Sequence, residues 1–193
     1  MSDGGAAAEP VLLLPGLYDS GPEHWQSYWE RTRPGCRRVV QAEWTAPRCA
    51  DWVARLDEEV AMLAAPAVLA GHSSACALVA HWARSATPAR LARVRGALLV
   101  APSDPEAPSF PAGPTGFAPM PLDALPFRST VVASTNDEYV SLERARSFAR
   151  AWGSRFVNAG AAGHLNSASA LGDWPAGWAL LEALRGAVAG RDA

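Results

Sequence analysis

Short, apolar-rich runs alternate along this chain with stretches whose apolar residues recur every three to four positions. The runs at 11–14, 67–70, 94–101, 129–134 and 155–158 predict strands, and 38–44 predicts a further, shorter one. The wholly apolar run at 11–14 fits a strand buried on both faces, as in parallel sheets. Between the predicted strands, 23–30 reads as a helix with Trp25 and Trp29 four apart on one face. Residues 51–63 read as an amphipathic helix, with Trp52, Leu56, Val60 and Leu63 along its stripe and Pro66 beyond its end. An apolar-rich segment up to Trp82, a helix over 141–152 carrying Leu142, Ala145, Phe148 and Ala149, and a terminal helix over 174–188, broken near Pro175 and Gly177, complete the series. Strand and helix in alternation predict an α/β fold: a three-layer α/β/α sandwich around a mostly parallel sheet of about six strands.

Two stretches depart from this rhythm. Residues 1–10, rich in Gly and Ala, predict a disordered N-terminal segment before a single domain over 11–190; the length of 193 residues suits one core. The stretch from Pro102 to Pro126 holds eight prolines and almost no periodicity. A loop over 102–128 leaves the same sheet end as the turn described next, so it reads as either a wall of a substrate pocket or a stiff surface excursion.

Where the run at 67–70 gives way to the helix-like segment, the chain reads Gly71-His72-Ser73-Ser74-Ala75. A strand turning sharply into a helix with a serine at the apex is a nucleophile elbow. Small residues on both sides let backbone pass close to backbone, and the backbone N–H of Ser74 would face a developing oxyanion. Alanine stands where the usual pattern has a second glycine, adding one methyl to the packing of strand on helix. The Gly/Pro-rich turn after residue 14 is where N–H groups can be left free, and Leu17 is the expected second oxyanion donor. Gly16, Tyr18, His72 and Asp104 are expected to line the pocket. Alternatively the two turns are ordinary connections between core elements.

Composition narrows the classes. A net charge of −2 gives no electrostatic case for nucleic acid or an anionic membrane. All basic residues are arginine, which excludes lysine-based Schiff-base or phosphate-loop chemistry. No G-x-G-x-x-G follows the first strand, so a nucleotide-binding domain is disfavoured. The N-terminus lacks the features of a signal peptide, and no apolar run approaches membrane-spanning length. Three cysteines, Cys36, Cys49 and Cys76, lack metal-ligand spacing and suggest reduced thiols in a cytoplasmic setting. No metal or cofactor is expected. Monomer and homodimer both stay open.

A serine hydroxyl needs a base within hydrogen-bond reach, and the base needs an orienting acid. Ser73, Asp137 and His164 each lie just past a predicted strand, the end at which such sheets bind ligands, and in the order serine, acid, histidine. His24 and His81 fall on predicted helices and read as surface or packing residues; His72 adjoins the serine and should point elsewhere. Asp104 also follows a strand and competes with Asp137 as the acid.

The segments from Leu14 through His24-Trp25-Gln26 to Trp29, Gly71 to Cys76, Ser134 to Asp137, Gly163 to Ala168 and Gly172 to Pro175 together resemble one family. It is the small α/β-hydrolase family of the retinoblastoma-binding-protein-type serine hydrolases, with many bacterial members. The resemblance runs from about Val11 to Trp178. It implies a compact, nearly lidless α/β-hydrolase fold, with Ser73, Asp137 and His164 as a triad acting on a small-molecule acyl substrate. The chain departs from the family at Ser74-Ala75, where a bulky residue and glycine are more usual. No L-x-C-x-E sequence is present, so a retinoblastoma-type partner is not carried over. A non-catalytic binding or scaffold protein on the same fold is the alternative.

Overall fold

The computed structural model describes residues 9–186. Six strands form one sheet: β1 (Val11–Leu14), β2 (Cys36–Arg38), β3 (Ala67–His72), β4 (Val94–Val100), β5 (Arg128–Ala133) and β6 (Arg155–Asn158). Their order is β2-β1-β3-β4-β5-β6, with every neighbouring pair parallel. The helices are α1 (Trp25–Thr32), α2 (Cys49–Ala61), α3 (Ser74–Ser85), the single turn α4 (Pro88–Leu91), α5 (Leu142–Ala151) and α6 (Pro175–Arg185).

Strand residues alternate between two apolar layers. Leu12, Leu14, Leu69 and Leu99 pack with Trp52 and Leu56 of α2, Leu78 and Trp82 of α3 and Phe148 of α5. Val11, Leu13, Val68 and Leu98 pack with Trp25 and Trp29 of α1 and Leu181 and Leu184 of α6. Burial on both faces is why these strands read as apolar-rich runs.

Strand order reverses direction between β1 and β3, so a crevice opens where the connections after these two strands part. The register sets Leu14 opposite Gly71, which brings the turn after β1 beside the elbow after β3. Gln26, fully buried, joins the two strand ends: its amide nitrogen donates to Leu14 O at 3.0 Å and Ala70 O at 2.9 Å.

Four expectations are corrected. The second strand stops at Arg38 instead of running over 38–44, because β1 itself ends at Leu14. In the segment that follows, Trp44 O accepts from Tyr18 N at 2.9 Å, in the loop after β1. The first helix begins at Trp25, with His24 as its N-cap through Nδ1. The terminal helix is continuous from Pro175, since proline is tolerated in a first helical turn; Gly177 is required there because a methyl group would meet the Trp174 ring at 2.1 Å. Of the N-terminal segment, residues 1–8 lie outside the described residues, but Pro10 O accepts from Val68 N at 3.0 Å and Glu9 pairs with Arg95 at 3.1 Å. Val188 of the expected terminal helix also lies outside them.

The Pro-rich connection between β4 and β5 is pinned to the body. Phe117 and Met120 are buried in the core, Trp152 Nε1 donates to Pro121 O at 2.8 Å, and His81 Nε2 meets Phe117 O at 2.9 Å. Phe110 and Pro111 from the same connection line the cavity over Ser73, so the loop is both core plug and pocket wall. Among the described residues no helix is long and apolar enough to cross a membrane.

Candidate active site

At the end of β3 the backbone of Ser73 takes φ 57° and ψ −125°, the strained turn of an elbow. Its N–H donates to Val100 O at 2.9 Å, so the elbow is fastened to the end of β4. Small neighbours are needed on the loop side: a Cβ on Gly16 would sit 2.8 Å from Ser73 Cβ and 2.9 Å from His72 O. On the helix side a Cβ on Gly71 would meet Ala75 O at 3.4 Å, an ordinary contact, while Ala75 itself is fully buried in the core. Strand and helix are therefore not pressed together at this point.

Ser73 Oγ lies 2.9 Å from His164 Nε2, and both oxygens of Asp137 lie 2.9 Å from His164 Nδ1. The loop carrying His164 is held from three sides. Trp25 Nε1 donates to Leu165 O at 3.0 Å, Gly163 N donates to Asn136 Oδ1 at 2.8 Å, and Ala162 N donates to Ser134 Oγ at 2.9 Å. The Asp137 carboxylate is shut from solvent and also accepts from Tyr139 N at 2.9 Å. Ser73 and His164, 91 positions apart, thus meet because β3, β5 and β6 all end at one rim of the sheet.

A second hydroxyl touches the serine. Ser103, buried just past β4, places Oγ 2.6 Å from Ser73 Oγ. No motif marks this residue; the signal that could have found it is topological, since it lies three positions beyond the end of the strand next to the elbow strand.

Leu17 N–H is not free. It donates to Ser74 Oγ at 3.0 Å, a bond between residues 57 apart in the chain, which ties the loop after β1 to the elbow. The side chain that departs from the usual family pattern thus has a defined partner.

His24, His72 and His164 form a file of imidazoles, with ring centroids 4.6 Å and 4.9 Å apart. His72 Nε2 donates to His164 O at 2.9 Å, and burial drives its pKa well below the ordinary histidine value. Burial, with Arg38 adding repulsion, pushes that of His24 down to about 3. Both rings are neutral across the physiological range. His24, expected at the surface or in packing, instead lines the cavity, because it caps α1 at the sheet rim.

The cavity over Ser73 measures about 390 Å³. Tyr18 and His72 line it as expected, together with Leu17, Ser103, Tyr139 and Asn166. Gly16 and Asp104 do not. Gly16 sits behind the elbow as a spacer. Asp104 turns away to pair with Arg144 at 2.8 Å, and Arg144 also reaches Glu106, so Asp104 is no rival to Asp137 for His164. Asp19, the one carboxylate among the lining residues, is itself paired to Arg38 at 2.5 Å. Among the described residues no cluster of His, Cys, Asp and Glu could hold a metal ion.

A family model described as serine hydrolase matches residues 11–183. The fold resembles that of a protein described as a YdeN-like hydrolase from Pectobacterium atrosepticum, at 32% identity over 91% of this chain and 90% of that one, with a TM-score of 0.78. The ydeN gene product of B. subtilis superposes with a TM-score of 0.69 at 15% identity, over 93% of this chain and all of that one. A protein described as a thioesterase from Silicibacter gives 0.68 at 19% identity, over 93% and 78%. The last two likenesses speak to the fold alone. No curated protein matches the chain.

Proposed function

Because the chain belongs to the serine hydrolase family, we propose that it cleaves a carboxylic ester or thioester, or an amide, through an acyl-enzyme on Ser73. The observation that carries this reading is the unbroken line of hydrogen bonds from Asp137 through His164 to Ser73 Oγ, at the floor of the cavity.

Ser73 Oγ attacks the carbonyl carbon while His164 Nε2 takes its proton, and Asp137 holds the imidazole and stabilises its cation. The oxyanion is received by the N–H of Ser74, whose place at the start of α3 leaves it without an intrahelical acceptor, and by the N–H of Leu17. Leu17 exchanges its neutral hydroxyl acceptor, Ser74 Oγ, for the charged oxygen, a stronger bond. The bond from carbon to the leaving group breaks, and His164 returns the proton to that group. Water, deprotonated by His164, then attacks the acyl-enzyme and frees Ser73.

The cavity favours an uncharged acyl group. No arginine lines it, and its one carboxylate is already paired. Exposed Tyr18 at the rim leaves room for a larger leaving group outside. The free thiols of Cys36, Cys49 and Cys76 suit a cytoplasmic setting.

The test is fluorophosphonate labelling read by peptide mass spectrometry, with p-nitrophenyl acetate turnover of wild type and Ser73→Ala alongside. A single adduct on Ser73, and a loss of turnover on the order of 10³-fold or more in the variant, are expected. Folded protein that takes no label, or a variant that turns over like wild type, would leave the non-catalytic binding protein as the reading.

A further inference from the structure

Ser73 Oγ has two polar neighbours, and only one belongs to the line of residues described above. The other, Ser103 Oγ at 2.6 Å, comes from a buried residue that also lines the cavity. The two serines are also joined through backbone, since Ser73 N–H donates to Val100 O, three residues before Ser103. Among the described residues Ser103 Oγ has Ser73 Oγ as its one hydrogen-bond partner.

The direction of each bond follows from what each atom can do. An ionised carboxylate only accepts, so His164 Nδ1 carries the proton facing Asp137 and Nε2 of the neutral ring is an acceptor. Ser73 therefore donates its one proton to Nε2. Toward Ser103 it can only accept, so Ser103 is the donor. Around the tetrahedral Ser73 oxygen this leaves one unoccupied lone pair, the one that can attack carbon.

We propose that Ser103 is a second catalytic hydroxyl, a donor to Ser73 Oγ whose main effect is to drive breakdown of the acyl-enzyme. The proposal rests on the reading of Ser73 as nucleophile. In the free enzyme Ser73 Oγ is a hydroxyl oxygen and a good acceptor. In the acyl-enzyme it is an ester oxygen whose lone pair is delocalised into the carbonyl, and the bond from Ser103 weakens. In deacylation water adds to the carbonyl carbon and gives a proton to His164. The C–Oγ bond then breaks with its electron pair passing to Oγ, and His164 protonates that oxygen. Ser103 regains its acceptor as negative charge builds on the departing Oγ. The bond is thus stronger on leaving the acyl-enzyme than within it, and its loss slows deacylation more than acylation.

The experiment is stopped-flow hydrolysis of p-nitrophenyl acetate by wild type, Ser103→Ala and Ser103→Thr, with fluorophosphonate labelling of each. In Ser103→Ala the deacylation constant is expected to fall about tenfold, the worth of one hydrogen bond to a partly charged atom, while acylation changes by no more than about threefold. A burst of p-nitrophenol then becomes visible, and acetylated Ser73 accumulates in quenched samples. Ser103→Thr, which keeps the hydroxyl, restores deacylation. Acylation and deacylation falling together, or neither changing, overturns the proposal and leaves Ser103 a packing residue. Absence of label on wild-type Ser73 would instead remove the nucleophile on which the proposal stands. If Ser103→Ala melts early, the comparison of Ser103→Thr with wild type decides: an unchanged ratio of the two constants supports the role of the hydroxyl, and a shifted burst overturns it.

Discussion

Gly16 lies so close to Ser73 that a methyl group on the glycine would stand 2.8 Å from the serine Cβ. The backbone of His72 closes off the other side at 2.9 Å, so neither wall is a flexible side chain that could swing away. Gly16→Ala must therefore push apart the loop carrying Leu17 and the elbow carrying Ser73. A displacement near 1 Å at reacting groups costs turnover on the order of 10²-fold, and overpacking costs about 1–3 kcal/mol of stability. Steady-state kinetics beside a thermal melt checks both. A variant with wild-type turnover would mean that the loop has no part in the reaction centre.

The two carboxylates considered for the acid should separate cleanly. Asp137 faces His164 Nδ1 with both oxygens and is shut from solvent. Asp137→Asn is expected to fold and to lose about 10⁴-fold in turnover, since an amide cannot hold the same tautomer. Asp104 faces Arg144, which keeps Glu106 as a partner when Asp104 is neutralised. Asp104→Asn should keep turnover within about threefold and cost ~1 kcal/mol or less, as for other partly exposed ion pairs. Equal losses in both variants would contradict the separate placements.

Acid should destabilise the protein through its buried imidazoles. Burial holds His24 down at about 3 and His72 also well below its ordinary value, with Arg38, His164 and each other as the charged or titratable neighbours. Both stay unprotonated in the folded state while the unfolded chain binds protons from about pH 6.5 downward. The unfolded state then holds more protons, so stability falls as pH falls through that window, by ~1.4 kcal/mol per pH unit for each fully unequal group. His24→Asn keeps a cap acceptor for α1 and removes one such group. Urea denaturation at pH 7 and pH 5 should show a smaller loss in the variant than in wild type. An identical loss would show that His24 is protonated in the native state.

The central strands were legible in the sequence because burial on both faces leaves apolar-rich runs, and the elbow because strain and close approach demand small residues around Ser73. What could not be read depended on pairing between distant segments. The strand expected to reach residue 44 stops at Arg38 because β1 ends, a fact about its neighbour. Gln26 and Trp25 look like parts of one helix, yet one holds the ends of β1 and β3 and the other the loop of His164. Ser103 carries no local signal at all, and Asp104 beside it carried a misleading one. The Leu17 N–H, expected to be free, is engaged by the hydroxyl of Ser74, where the resembled family more usually has a bulky residue.

Ala75 offers the last test, because glycine is the usual residue there. Were its methyl wedged between strand and helix, Ala75→Gly would relax the elbow and raise turnover. The contacts argue otherwise. Even a Cβ added to Gly71 would stand 3.4 Å from Ala75 O, an ordinary contact, so strand and helix are not pressed together here, and the Ala75 methyl is fully buried in the core. Glycine would therefore remove a packed methyl and add backbone freedom in the first turn of α3. The expected loss is about 1–2 kcal/mol of stability, from propensity and from the lost apolar contact together. Turnover of p-nitrophenyl acetate should stay within about twofold. A gain of tenfold or more in kcat would show that the alanine restrains Ser73 and that the elbow is under tension on its helix side.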